Sequence, residues 1–191
     1  RFAPEQHQRR GLMLQEIVEA VQEGLAEGVA EVEASGGWIR VGTLLAAMRQ
    51  NQASLDIARL ALANRENGVV GFDLAGPEEG YPATLHRPAC ELLRAELLPV
   101  TIHAGEAYGS PSIAAALEMG ALRIGHGIRI LDDVSEDGQF GPVAQWVLDR
   151  QIVLEVAPSS NLQTGGAASF ATHPITRMRD LGFAVTVNTD N

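Results

Sequence analysis

Apolar, often β-branched runs recur along this chain at a nearly constant interval, and that recurrence limits the folds open to it. The runs begin near Trp38, Val69, Pro99, Ala121, Ile152 and Phe183, at intervals of 31, 30, 22, 31 and 31 residues. An interval of about 30 residues fits one strand, one helix and their two connections. Helical patterns fill the spaces, over 54–65, 83–98, 112–119, 142–150 and 173–181. Pro111 and Pro174 suit early helix positions, and Gly120 and Gly182 suit helix stops. Ahead of the first run, Leu14, Ile17, Val18, Val21 and Leu25 share one helical face, which predicts an amphipathic helix over 5–31. Strict alternation of strand and helix argues for a parallel sheet with helical cover. No linker interrupts the pattern, so residues 1–191 read as one domain.

Periodicity alone does not separate a closed barrel from an open doubly wound sheet. An open sheet gathers its site at one switch point, whereas a barrel draws on many strand ends. Three ends here carry chemistry. Thr101-Ile102-His103-Ala104-Gly105-Glu106 closes one apolar run, Arg123-Ile124-Gly125-His126-Gly127 the next, and Asn188-Thr189-Asp190-Asn191 the last. A strand-terminal histidine is a good metal ligand, because neutral imidazole binds an ion directly and the strand sets its direction. Glu106 follows His103 by three residues and is a candidate proton donor if its carboxyl is desolvated. The glycines beside His126 let backbone approach a ligand closely, without the continuation of a dinucleotide fingerprint. Asp190 has the choice of capping a helix or binding a metal. Polar residues also close the runs at Phe72-Asp73 and at Pro158-Ser159-Ser160-Asn161, and polar clusters after at least four strands favour the barrel.

Composition excludes several alternatives. At 46% hydrophobic and 20% charged the chain can build a sizeable core, and its net charge of −10 disfavours a nucleic-acid partner. One cysteine, Cys90, rules out an internal disulfide framework and a zinc cage of paired cysteines. There is no lysine, which removes Schiff-base chemistry, a Walker-type phosphate loop and a carboxylated-lysine metal bridge. No run of about 18 apolar residues is present, so no membrane association is expected and the cytoplasm is the default location. A small neutral or cationic substrate fits this charge.

His-Ala-Gly-Glu, then Gly-His-Gly, then Asn-Thr-Asp after Val185-Thr186-Val187 resembles the adenosine deaminase family of zinc-dependent barrels. Phe72-Asp73-Leu74-Ala75-Gly76 and Val156-Ala157-Pro158-Ser159-Ser160-Asn161 resemble further strand ends of that family, so the resemblance runs over nearly the whole chain. It implies an incomplete (β/α)8 TIM barrel, about strands 3–8 with their helices. Arg1-Phe2-Ala3-Pro4 would be the tail of the second strand, and a first strand with two zinc-binding histidines would lie outside the sequence. The implied activity is hydrolytic deamination of adenosine or deoxyadenosine, with Zn2+ as cofactor and a purine nucleoside as partner. Deamination of adenine or another 6-aminopurine is the alternative, as is a fragment without catalysis of its own.

The resemblance also implies roles. His103 and Asp190 are zinc ligands, Glu106 protonates the purine N1, and His126 orients the attacking water rather than binding the metal. Gly76 presents backbone to the purine N3, and Asn191 donates to N7. Asp73 and the Pro158–Asn161 turn are expected to support the rim. His7, His86 and His173 are expected to be solvated or capping, and Trp38 and Trp146 to be packing residues.

Overall fold

The computed structural model describes residues 1–190; Asn191 lies outside the described residues. After a 3-10 segment, Pro4–Arg10, come α1 (Leu14–Ala34), β1 (Thr43–Met48), α2 (Ser54–Ala63), β2 (Val69–Ala75) and α3 (Arg87–Ala95). They are followed by β3 (Val100–Ala104), α4 (Ser110–Glu118), β4 (Arg123–His126), α5 (Pro142–Asp149), β5 (Val153–Val156), α6 (Pro158–Gln163), α7 (Ile175–Asp180) and β6 (Val185–Val187).

All six strands are parallel and lie side by side in chain order, β1 through β6. A doubly wound sheet reverses its strand order at the switch point; this one never does, which is the winding of a (β/α) barrel. The sheet also curls. Phe2 forms a parallel bridge with Leu45 on the outer edge of β1, so Arg1 stands five strand positions from Glu155 on β5. In a flat sheet that is roughly 24 Å at about 4.8 Å per strand, yet the Arg1 guanidinium pairs with both Asp73 and Glu155. Only a strongly curved wall brings them together. The described strands form part of a barrel and do not close it.

Alternation along the strands divides the side chains between two faces. Leu45, Ala47, Phe72, Leu74, Ile102, Ala104, Ile124, Leu154 and Val156 pack into the core with Ile57, Leu93, Ile113, Val147 and Met178 of the covering helices. Fully burying each large side chain contributes roughly 1.5–3 kcal/mol. Asp73, Thr101, His103, Gly125 and Glu155 occupy the opposite, concave face, with registers Asp73↔Thr101 and His103↔Gly125.

Several expectations need correction. The run from Trp38 is not strand: β1 starts at Thr43, after the glycines at 36, 37 and 42. Trp38 is 80% exposed and Trp146 49% exposed, the latter stacked under Arg150 with the guanidinium carbon 3.4 Å from the ring centre, so neither is a core residue. The helix expected over 5–31 is broken at Gly11, whose φ of +81° ends the 3-10 segment, and α1 then continues to Ala34. Pro158–Asn161 is the start of α6, not a turn. Over 83–98 a short 3-10 segment precedes α3, with Pro88 in the first turn of the helix.

Two of the histidines expected to be solvated or capping are buried. His86 bonds the Ser54 hydroxyl through Nδ1 (2.8 Å) and the Arg49 carbonyl through Nε2 (3.0 Å), tying the start of α2 to the end of β1. His173 does cap α7, accepting the Ile175 N–H at 3.1 Å, but only 5% of it is exposed because its other face packs on Asn161. His7 is exposed, as expected.

Candidate active site

The C-terminal ends of β3 to β6 converge on a cleft of about 200 Å3 whose walls include Arg1, His103, His126, Glu155, Asn188 and Asp190. His103 enters it from β3. Its Nδ1–H donates to Asp73 Oδ1 at 3.1 Å, which turns Nε2 toward Asp190 Oδ1, 4.0 Å away. Asp73, fully buried on β2, is shared with Arg1, whose guanidinium donates to Oδ2 at 3.0 Å. A carboxylate behind a ligating imidazole fixes its tautomer and orientation. Burial works against charge on both partners, but their mutual attraction prevails. Asp73 is held below the usual carboxylate range, with help from Arg1, and His103 is raised above the ordinary histidine value.

His126 follows on β4, only 2% exposed, with its ring 5.1 Å from that of His103 at 64°. Its backbone φ is +61° and that of Gly127 is +65°, a left-handed pair that carries the chain sharply out of the strand. A non-glycine residue in this region stores backbone strain of the kind found at functional sites. Burial lowers the pKa of His126, with Glu106 pulling the other way. Its Nε2 lies 3.5 Å from Glu106 Oε2 and 3.9 Å from Asp190 Oδ2.

Glu106 stands at the rim, where the Thr164 hydroxyl donates to its Oε1 at 3.0 Å. Its loop is held from behind by Glu78, whose carboxylate accepts the backbone N–H groups of Gly105, Glu106 and Ala107 at 2.8, 2.8 and 2.9 Å. Arg49, 2% exposed at the end of β1, donates to the carbonyls of His103 and Tyr81. On the cleft wall, Glu155 takes guanidinium groups from Arg1 and Arg123.

Among the described residues, the group able to gather on one metal ion is His103, His126 and Asp190, each offering an atom within 4.8 Å of the others. Ligands on a tetrahedral zinc at 2.0–2.1 Å lie about 3.4 Å apart. The 4.0 Å between His103 and Asp190 is too long for a hydrogen bond and near that ligand spacing. Imidazole and carboxylate are ordinary zinc donors, so the residues fit the ion.

The structure thus brings His103, His126, Glu106 and Asp190 together. Gly76 does not line the cleft; its φ is +100°, and a Cβ there would sit 2.4 Å from the Gln50 side-chain oxygen. Asn191 lies outside the described residues. Asp73 and Asn161, read as rim supports, instead contact the two central histidines. Glu78 and Arg49 carried no signal in the sequence, because their partners are remote from them along the chain.

The sequence model of the family described as Adenosine deaminase matches residues 1–191. "Adenosine deaminase 1" of Streptomyces coelicolor is 56% identical over 196 residues, covering 100% of this chain and 50% of the relative. The crystal structure of adenine deaminase from Arthrobacter aurescens superposes with a TM-score of 0.81 at 28% identity, over 98% of this chain and 54% of that one. Arabidopsis ADAL, solved in complex with IMP, gives 0.79 at 25% identity, over 94% and 52%. The chain spans about half the length of the curated relatives it matches.

Proposed function

Because the chain belongs to the adenosine deaminase family, we propose that the protein containing it deaminates adenosine and deoxyadenosine to inosine and deoxyinosine, releasing ammonia, as a step of purine salvage in the cytoplasm. The observation that carries this reading is the meeting of His103, His126, Glu106 and Asp190, from three separate strand ends, at one point of the cleft.

His103, backed by Asp73, and Asp190 are the residues that would hold a zinc ion, with the remaining ligands from outside this chain. When bound, zinc supplies Lewis acidity that lets water act as a nucleophile near neutral pH. Glu106 gives its proton to the purine N1, so that electron density leaves C6 as water adds there. Thr164 holds one oxygen of that carboxyl and Glu78 holds its backbone, so the acid is fixed before substrate arrives. His126 hydrogen-bonds the attacking oxygen. The added water and the departing ammonia balance the reaction, with Glu106 reprotonated at its close. Gly76 offers backbone to N3 and Asn191 an amide to N7; these two assignments rest on the family resemblance.

The likeness to an adenine deaminase supports a second reading, in which the free base is the substrate. Assay of the whole protein with adenosine, deoxyadenosine, adenine and adenosine monophosphate decides between them. Preference for the two nucleosides is expected; preference for adenine would overturn the first reading. This chain alone is expected to be inactive, since His103 and Asp190 fall short of the three protein ligands a catalytic zinc needs. Its net charge of −10 supports a small-molecule rather than a nucleic-acid partner. Among the described residues no helix is long and apolar enough to cross a membrane.

A further inference from the structure

A buried chain of hydrogen bonds runs from the start of α7 to the centre of the cleft, and the direction of each bond follows from the one before. It begins at the backbone N–H of Ile175, which can only donate, and which lies 3.1 Å from His173 Nδ1. A ring nitrogen that accepts carries no proton, so the proton of His173 is on Nε2. That nitrogen is 3.3 Å from Asn161 Oδ1, an atom that can only accept. The amide so oriented turns Asn161 Nδ2 to His126 Nδ1, at 3.0 Å. An amide nitrogen donates, so His126 Nδ1 is the acceptor and the ring proton of His126 is on Nε2.

We infer that Asn161 and His173 are positioning residues that set the tautomer of His126, so that His126 presents an Nε2–H donor, and not a lone pair, to the space between Glu106 and Asp190. The inference deepens the deaminase reading and rests on it for the meaning of that space. Asn161 is fully buried, His126 is 2% exposed and His173 5% exposed, and the two inner links, His173–Asn161 and Asn161–His126, are buried. Reversing any one bond would set two N–H groups face to face in a dry site.

The consequence separates two roles that distances alone leave open. By proximity His126 can join His103 and Asp190 around an ion, but a ligating Nε2 needs its lone pair, which the chain from Ile175 denies it. The opposite holds for His103, whose Nδ1–H is committed to Asp73 and whose Nε2 lone pair is therefore free. Two histidines with rings 5.1 Å apart are thus wired in opposite senses, one by a carboxylate and the other by an amide.

The test is a long-range 1H–15N correlation spectrum of the whole, zinc-loaded protein labelled with 15N-histidine, which reads the ring nitrogen that bears each proton. The expected result for His126 is a proton on Nε2 and none on Nδ1; a proton on Nδ1, or metal bonded to Nε2, would overturn the proposal. The outcome does not depend on which substrate the protein prefers, so failure here is distinct from failure of the deaminase reading.

Variants extend the test. Asn161→Asp replaces the donor by an acceptor, should draw the His126 proton to Nδ1, and should lower kcat by about 100-fold with zinc content retained and KM within about threefold. His173→Gln keeps a donor at the Nε2 position and should hold the parental tautomer with kcat at least tenfold above that of His173→Leu. A parental His126 spectrum in Asn161→Asp, or equal kcat in the two His173 variants, would overturn the assignment. If a variant fails to fold, the parental spectrum alone decides.

Discussion

Gly125 lies directly across the β3–β4 ladder from His103, and a Cβ built on it would come within 2.9 Å of the imidazole Nδ1 and 3.0 Å of its Cγ. The first glycine of Gly-His-Gly is therefore a seat for the ring on the neighbouring strand. Gly125→Ala should push His103 away from Asp73 and weaken zinc binding of the whole protein by about 10–100-fold, as loss of an orienting contact does. Zinc competition titration reads this directly, and unchanged affinity would separate Gly125 from the metal site.

Glu106→Gln should keep zinc and fold and lose about 100-fold or more in kcat, because an amide of the same shape has no acidic proton for N1. Steady-state kinetics with metal analysis checks it. Activity within about threefold of the parent would remove Glu106 from the mechanism.

His103→Ala should abolish zinc binding along with activity, whereas Asp73→Asn should leave zinc bound about 10–100-fold more weakly, since the imidazole keeps its place but loses a charged partner. Equilibrium dialysis of both variants tests the order. Equal zinc content in His103→Ala and parent would place the metal elsewhere.

Glu78 carries a pH-dependent part of the stability. Burial alone would raise its pKa, but the Ser112 hydroxyl and the N–H groups of Ala107, Gly105 and Glu106 outweigh that and hold it below the ordinary glutamate value. A carboxylate with a lowered folded pKa adds stability above its unfolded pKa, about 4.3, and loses it as pH falls through the folded value. Glu78→Gln should therefore destabilise the protein at pH 7 by about 1–3 kcal/mol, the cost of N–H groups left facing a donor. The gap from the parent should close below about pH 4. Urea denaturation across pH 3–7 measures it; a gap independent of pH would assign Glu78 a packing role only.

The strand-helix alternation and the chemistry at three strand ends were legible in the sequence because both are local. Ile102, His103 and Glu106, or Ile124 and His126, announce themselves within a few residues, and the same holds for Gly120 and Gly182 at helix ends. Phe2, read as the tail of a strand, does bridge Leu45. Where local signals compete, the reading failed. The apolar run at Trp38 lost to the glycines on either side of it, and His86, placed near a helix start by Arg87 and Pro88 beside it, is buried against Ser54 and the Arg49 carbonyl.

By itself, then, the sequence determined the repeating unit, the parallel sheet and which side chains stand at the ends of β3, β4 and β6. Tertiary structure alone decided that the sheet curls instead of reversing, and which remote groups stand behind the histidines. Asp73 is 30 residues from His103, Asn161 35 from His126, and Glu155 154 from Arg1. Such pairs leave no periodic trace, because they depend on the strand register and on the curvature of the whole wall. That a carboxylate stands behind His103 and an amide behind His126 is set by those distant partners.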